Sequence, residues 1–423
     1  MLSEEVIDKV VERVVNRIEQ GNTYVLKKIG ESIKKVGTLT ATSSQQLYQI
    51  IRYGGDYDEI VKKLAEITEL NVKDIYKIFD EVAKTENIYF EKFYKYRNKK
   101  FIPYEYNIPL QNQVRAIATL TAENYMNISR TMAFARRTPN GIIYTDLSKT
   151  YQDVLDKAIL SVSQGKITFQ DEMYSTIKEL ASSGIRTVDY ASGRSMRLDS
   201  AVRMNVKGGL RSLHNELQDI YGKEFDANMI EVSHHSNSAP DHIDSIDGKQ
   251  FARIDVIREQ IEKGIEKEIK LEDIEGNRVK VKGKWYDDFD TINNNLKRPV
   301  STLNCYHYVF SGILGISKPE FTEKELQEDK EKNLKGCEID GKHYTLYETE
   351  QLMRSLELEI RKAKDEQIMG RASGIVENVE NAQSRITQLT NKYHEVLKVS
   401  GLPSKLDRAR VPGYKKVAKS KLK

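Results

Sequence analysis

The sequence predicts a predominantly α-helical protein with a smaller α+β middle domain, elongated, and closing in a helical hairpin or coiled-coil-like C-terminal segment. Three observations carry that prediction. Apolar residues recur at three- and four-residue spacing through the N-terminal part and again from Leu346 onward. Strand-like alternation is confined to short stretches between them, such as "MIEVS" and "IKLEDIEGNRVKVKGKWY". Charged residues make up 31% of the 423 and hydrophobic ones 39%, a balance that gives most helices one wet face.

In chain order, Val6, Val10, Val14 and Ile18 form one helical stripe, and Leu26, Ile29 and Ile33 continue it after "EQGN". Segments 46–52, 58–70 and 72–95 also read as helices, separated by "RYGGDY" and by an N-cap signal at Asn71. The aromatic stretch "NIYFEKFYKYRNKKFIPYEYNIPL" reads as a helix end packing onto a neighbour, followed by a proline-bearing connector. Another helix, 111–136, ends at "RRTPNG". Two amphipathic helices joined at Gly165 come next, the second closed by Gly184.

Arg194 and Arg197, three residues apart, are placed near the start of the following helix, with Arg203 on another face. Cations are misplaced at that end of a helix dipole, so they are expected to pair with the acid-rich loop 241–247 or with another protein. Val202, Val206, Leu210, Leu213, Leu217 and Ile220 mark one face of that helix, and Gly208 and Gly209 within it suggest a close helix contact. A hairpin turns at Glu275, Gly276 and Asn277. Beyond Leu346, the positions Met353, Leu356, Ile360 and Ala363 hold the helical period, which breaks near Gly370 and Gly374. Ile375, Val379, Ala382, Ile386, Leu389, Tyr393 and Val396 then form a heptad seam. An intrachain antiparallel hairpin and an oligomer built through 375–396 fit that seam equally. The expected domains are therefore 1–145 (helical), 146–322 (mixed α+β), 323–400 (helical hairpin or coiled coil) and 401–423 (basic tail).

No apolar run approaches the roughly 20 residues of a membrane span, and two distant cysteines point to a reducing compartment rather than a disulfide framework. The net charge of +4 says little, but its distribution says more: "LDRARVPGYKKVAKSKLK" carries seven lysines and arginines against one aspartate. Lys415, Lys416, Lys419, Lys421 and Lys423 are the candidate contacts to an acidic partner, DNA included.

The chemistry-bearing residues gather in two places. "VSHHSNSAPDHIDSIDGKQF" (232–251) holds three of seven histidines, and "STLNCYHYVF" (301–310) holds one of two cysteines and a fourth histidine. "SAPD" at 238–241 has the form of a helix start, with Ser238 as N-cap. Imidazole and thiolate together suit zinc, so His234, His242, Cys305 and His307 are the candidate ligands of a structural zinc site. A hydrogen-bonded polar core of the same residues is the plainer reading. Asp241, His242, Asn304 and His307 also allow a metal-dependent nuclease, and Cys305 with a histidine a nucleophile pair. No phosphate-binding glycine loop, dinucleotide fingerprint or H-E-x-x-H accompanies them, and the chain is read as a non-enzyme.

The order "GIRTVDYASGRSMRLDSAVRM", "EVSHHSNSAPDHIDSIDGKQF", "NCYHYVFSGILGISKPEFTEKEL" and a charged helical region ending at "GLPSKLDRARVPGY" resembles the phage minor capsid protein 2 family of tailed bacteriophages. That family is distantly similar to Mu F-like head morphogenesis proteins. The resemblance covers roughly residues 1–414 and is sharpest over 184–322. His242, Gly248, Lys249, Asn304, Cys305 and His307 match its motifs. The family's loop arginine and tryptophan are missing, and Tyr306 stands where "NCRH" has arginine, which counts against a phosphate-binding role. The resemblance implies a structural virion protein, assembled in the host cytoplasm and lying in the capsid interior near the portal. Its implied partners are the portal protein, the major capsid protein and packaged viral DNA, and its implied roles are head assembly, DNA packaging or ejection.

Overall fold

Along α1 (Glu4–Gly37), Ile7, Val11, Val14, Ile18, Val25, Ile29 and Ile33 are buried on one continuous face. Val14, Ile18, Leu26, Ile29 and Ile33 of the expected stripe are buried, while at its start Ile7 and Val11 carry the face and Val10 is only half-buried. "EQGN" does not interrupt the helix. Asn22 is buried, donating to Asp365 at 3.3 Å and accepting from the Ile185 backbone N–H at 2.9 Å. The structure, a computed structural model, describes residues 4–38, 56–138, 141–164, 166–189, 194–300, 302, 305 and 307–417. The helix expected over 46–52 lies outside them.

The two helices expected over 58–95 are one, α2 (Asp56–Tyr96). Asn71 does not cap anything: it is fully buried, donating to the Tyr125 hydroxyl at 3.0 Å and accepting from Arg17 at 3.2 Å. Tertiary partners for its amide remove the competition with the backbone that favours a cap. Next comes α3 (Ile108–Arg130), which ends earlier than expected because "MAFARRT" is β1 (Met132–Thr138), paired antiparallel with β2 (Gly141–Asp146). The β-branched "GIIYTD" supplies the partner strand, and Ala133 and Phe134 are buried.

Then follow α4 (Leu147–Gln164) and α5 (Lys166–Ser183), the latter closed by Gly184 at φ +58°. β3 (Arg186–Asp189) and β4 (Arg194–Arg197) complete a sheet of order β2-β1-β3-β4. "RSMR" is thus a strand, not a helix start. The helical face 202–217 belongs to α6 (Leu198–Glu224), where a side chain at Gly208 would meet nothing within 4 Å, so no close contact requires that glycine.

The remaining elements are β5 (Met229–Val232), β6 (Gln250–Ala252), α7 (Ile254–Glu262), β7 (Ile274–Glu275), β8 (Arg278–Val281), β9 (Lys284–Asp287), α8 (Phe289–Asn294) and β10 (Val309–Gly312). After them come α9 (Glu323–Lys335), β11 (Cys337–Ile339), β12 (Lys342–Tyr344), α10 (Leu346–Ser373) and α11 (Val376–Ser400). The protein is 65% helical, with eleven helices among the described residues and small antiparallel sheets, so the predominantly α class with a lesser α+β part holds. No helix among the described residues is long and apolar enough to cross a membrane.

The chain forms two compact units, one from 79–117 and 208–350, the other from 4–78, 118–207 and 351–417. In the first, the aromatic stretch stacks on the end of α6: Phe90 on Tyr221 at 4.4 Å and Phe93 on Phe225 at 4.7 Å between centroids. Its strands form a β10-β5-β6 sheet, a β7-β8-β9 meander and a β11-β12 hairpin.

In the second unit, α10 and α11 pair antiparallel within the chain. Gln367 bonds Gln383 at 2.8 Å, Asn378 bonds Glu366 at 3.1 Å and Tyr393 bonds Glu357 at 3.0 Å. The helix runs through Gly370, where a Cβ would lie 2.8 Å from that of Asn378, and ends at Gly374 with φ +79°. The seam residues Ile375, Ala382, Ile386, Tyr393 and Val396 are buried by this folding-back.

Arg197 sits in this second unit, buried, 3.3 Å from Asp199 and 3.2 Å from Asp365; Arg361 lies 2.5 Å from Asp199 and 2.9 Å from Glu19. Those carboxylates, and not loop 241–247, are its partners. Two guanidiniums face three carboxyls, and the acids divide accordingly. Burial would raise Asp199, but Arg361 and Arg197 outweigh it and hold it at about 2. Burial raises Glu19 to about 7, with Arg361 only partly opposing and Asp199 adding to the rise. A carboxyl raised in the fold stabilises most below its ordinary pKa, and that contribution fades as pH climbs through the raised value. Stability is therefore expected to fall by roughly 2–3 kcal/mol between pH 4.5 and 8 through Glu19 alone. Denaturant titrations of wild type and Glu19→Gln across that range check it; a constant difference between the two would refute it.

Candidate metal centre

Strand register brings the two chemistry-bearing stretches together. β10 pairs antiparallel with β5, with Val309 opposite Val232. The residues just beyond these ends are therefore neighbours too: the Ser233 N–H donates to the Tyr308 carbonyl, and the Tyr308 N–H to the Ser233 hydroxyl, both at 2.9 Å. His234 and His307, 73 positions apart in sequence, thereby reach the same carboxylate, that of Asp247. Below them Ile230, Val232, Ile246, Phe251, Val300 and Cys305 form one apolar cluster.

Loop 233–249 is a run of turns. The expected helix start at 238–241 is absent because Ser238 donates its hydroxyl to Asp247 at 2.7 Å instead of capping. Gly248, at φ +68°, closes the loop, and a Cβ there would strike Leu326 at 2.4 Å.

Asp247 is the residue that sequence reading missed. It is 4% exposed and accepts from His234 Nδ1 at 2.6 Å, Ser238 Oγ at 2.7 Å, His307 Nε2 at 2.8 Å and the His235 backbone N–H at 2.9 Å. Burial would raise its carboxyl, but the bonds from His234, His307 and Ser238 hold it well below the usual carboxylate range. The only sequence signal was the Asp-Gly turn in "SIDGK". Two other partners were equally hidden. Asp329 of α9 accepts from His234 Nε2 at 2.9 Å, and Arg298 grips Asp241 through two bonds at 2.8 and 3.1 Å.

His234 thus donates through both nitrogens to carboxylates. Burial works against its charge, but Asp247 and Asp329 outweigh it and raise its pKa. With both ring nitrogens engaged by carboxylates it has neither to turn to a metal, and it stands apart from the other three candidate ligands.

Those three converge. His242 Nδ1 lies 3.2 Å from His307 Nδ1, and Cys305 Sγ lies 3.9 Å and 3.7 Å from them. All three residues are at most 3% exposed. The tautomers follow from the far nitrogens. His242 Nε2 donates to the Arg298 carbonyl at 2.7 Å, and His307 Nε2 donates to Asp247. Both Nδ1 atoms then present lone pairs to the same point. Burial, more than its histidine neighbours, pushes the His307 pKa down despite Asp247. A cation with soft and borderline ligands, or a proton, answers this arrangement chemically.

Of the candidate DNA contacts, Lys415 and Lys416 are exposed, while Lys419, Lys421 and Lys423 lie outside the described residues. The segment before them is fixed to the second unit. Lys364 Nζ donates to the Ala409 carbonyl at 2.7 Å, and Gln383 accepts from the Val417 N–H at 3.0 Å.

The structure thus defines a mainly helical protein whose His242, Cys305 and His307 are enclosed in a loop-and-strand core. The family models make this specific: one described as phage minor capsid protein 2 matches residues 2–398, nearly the whole chain. The chain belongs to the phage minor capsid protein 2 family and so to the structural proteins of the phage particle. No curated protein and no solved structure matches it.

Since Asp247 joins four donors in the interior while the Asp329 carboxylate is 35% exposed, the two should respond unequally to removal of charge. Asp247→Asn is expected to cost about 3–5 kcal/mol, and Asp329→Asn about 1 kcal/mol or less. Urea denaturation of both variants tests the ranking, and equal costs would contradict it.

Proposed function

We propose that this chain is a minor structural protein of the phage head that sits inside the shell at the portal vertex and acts in head assembly, DNA packaging or ejection. Its partners in this reading are the portal protein, the major capsid protein and the packaged genome. The observation that carries it is the division of labour between interior and surface. His242, Cys305 and His307, the residues a hydrolytic enzyme would need, are at most 3% exposed. A scissile phosphate has to reach a metal-bound water, and these side chains are instead committed to holding loop 233–249 against β10. Lys415 and Lys416, by contrast, are presented to solvent on a segment anchored by Gln383. Cations so placed attract packaged DNA without regard to sequence.

The family match supports the head component and its virion location; the portal-proximal position is our proposal. Quantitative mass spectrometry of purified particles, with cross-linking, is expected to find a few to a few tens of copies per particle joined to portal protein. Absence from mature particles would point to a transient assembly factor. Chelator-sensitive DNA cleavage by the purified protein, lost in His307→Ala, would favour the metal-dependent nuclease instead. For the tail, truncation after Val417 removes three lysines. The salt dependence of DNA binding should then flatten by roughly 2–3 in the slope of log K against log salt. An unchanged slope would remove DNA from the list of partners.

A further inference from the structure

We propose that His242 Nδ1, His307 Nδ1 and Cys305 Sγ are three ligands of one divalent ion of the zinc type, and that His234 is not a ligand but part of the shell that holds the ligands in place.

Distances carry this first. With Zn–N of about 2.0–2.1 Å and Zn–S of about 2.3 Å, tetrahedral angles give edges of about 3.3 Å for N···N and about 3.6 Å for N···S. The observed edges are 3.2 Å between the imidazole nitrogens and 3.7 and 3.9 Å to sulfur. The triangle therefore has the size of three corners of such a site, to within about 0.3 Å. Three protein ligands leave one coordination position for water or another small ligand.

Ligand orientation carries it second. A metal-binding histidine typically donates its other N–H to a carboxylate or a backbone carbonyl, which fixes the ring and its tautomer. His307 does so to Asp247 and His242 to the Arg298 carbonyl, whose residue is itself clamped by Asp241. Two neutral rings fixed this way turn lone pairs toward each other at 3.2 Å, which is unfavourable without positive charge between them.

The engagement of His234 carries it third. Its Nδ1 meets Asp247 at 2.6 Å and its Nε2 meets Asp329 at 2.9 Å, so neither ring nitrogen is turned to the triangle. On binding, the Cys305 thiol gives up its proton to solvent and its sulfur becomes a thiolate.

The alternative is a metal-free core in which the thiol and a shared proton satisfy the two Nδ1 atoms. Full-length protein, expressed without a polyhistidine tag, separates the two. Elemental analysis is expected to find about one zinc per chain. After chelation and reloading with cobalt(II), a thiolate-to-cobalt charge-transfer band should appear in the near ultraviolet. Cys305→Ser should abolish the band, and Cys337→Ser, at the other cysteine, should keep it. His307→Ala should weaken cobalt binding at least tenfold, whereas His234→Gln should retain the band with affinity reduced about tenfold or less. Absence of both stoichiometric metal and the cobalt band in wild type would overturn the proposal, as would a band that survives Cys305→Ser. If Cys305→Ser does not fold, the wild-type spectrum with the Cys337→Ser control still decides. Neither result depends on where in the particle the protein sits, so this inference and the portal reading fail separately.

Discussion

The carboxylate of Asp247 is the constraint around which the first unit's loop and strands are arranged. A buried carboxylate without partners would be expelled or protonated; here a backbone N–H, a hydroxyl and two imidazoles meet it within 2.9 Å. Three of these donors come from loop 233–249 itself and the fourth, His307, from the residues just before β10. Ser238 and the histidines of the loop are drawn inward, His307 is fixed at the mouth of β10, and His234 is handed on to Asp329 of α9. One acid thus joins a loop, a strand end and a helix, and the convergence of His242, Cys305 and His307 depends on that join.

The second unit solves a related problem with more members. Arg197 and Arg361 serve Asp199, Asp365 and Glu19, and burial raises Glu19 to about 7 with Arg361 only partly opposing it. Burial also raises Asp365 against the pull of Arg197. In both units charged groups tie together segments far apart in sequence. Such networks contribute less to net stability than to fixing which segments meet, because removing one partner leaves the others buried and uncompensated.

For a component of the phage particle, this economy has a plain consequence. His242, Cys305 and His307 of the two motifs lie in its interior. Membership of the phage minor capsid protein 2 family gives this interior the context of a particle that must assemble and then endure. The proposed ion would extend the same logic, since a metal held by side chains from a loop and a strand end links them by coordination.

The sequence by itself determined the helical class, the succession of the two helices α4 and α5, the turn at Gly276 between β7 and β8, and the family. These are written in local periodicity, in glycines at fixed positions and in motif order, none of which needs a distant partner. It also singled out His242, Cys305 and His307 by residue type. Tertiary structure alone decided the rest. Asn71 reads as a cap until Tyr125 and Arg17 take its amide, and "MAFARRT" reads as helix until β2 pairs with it. Arg197 reads as a partner for loop 241–247 or for another protein until Asp199 and Asp365 take it. The heptad seam fits a hairpin or an oligomer until α10 covers it. Asp247 was invisible as a hub, and His234 looked like a ligand, because a side chain's role depends on which donors and acceptors surround it. That surrounding is set by strand register and long-range packing, which local sequence does not encode.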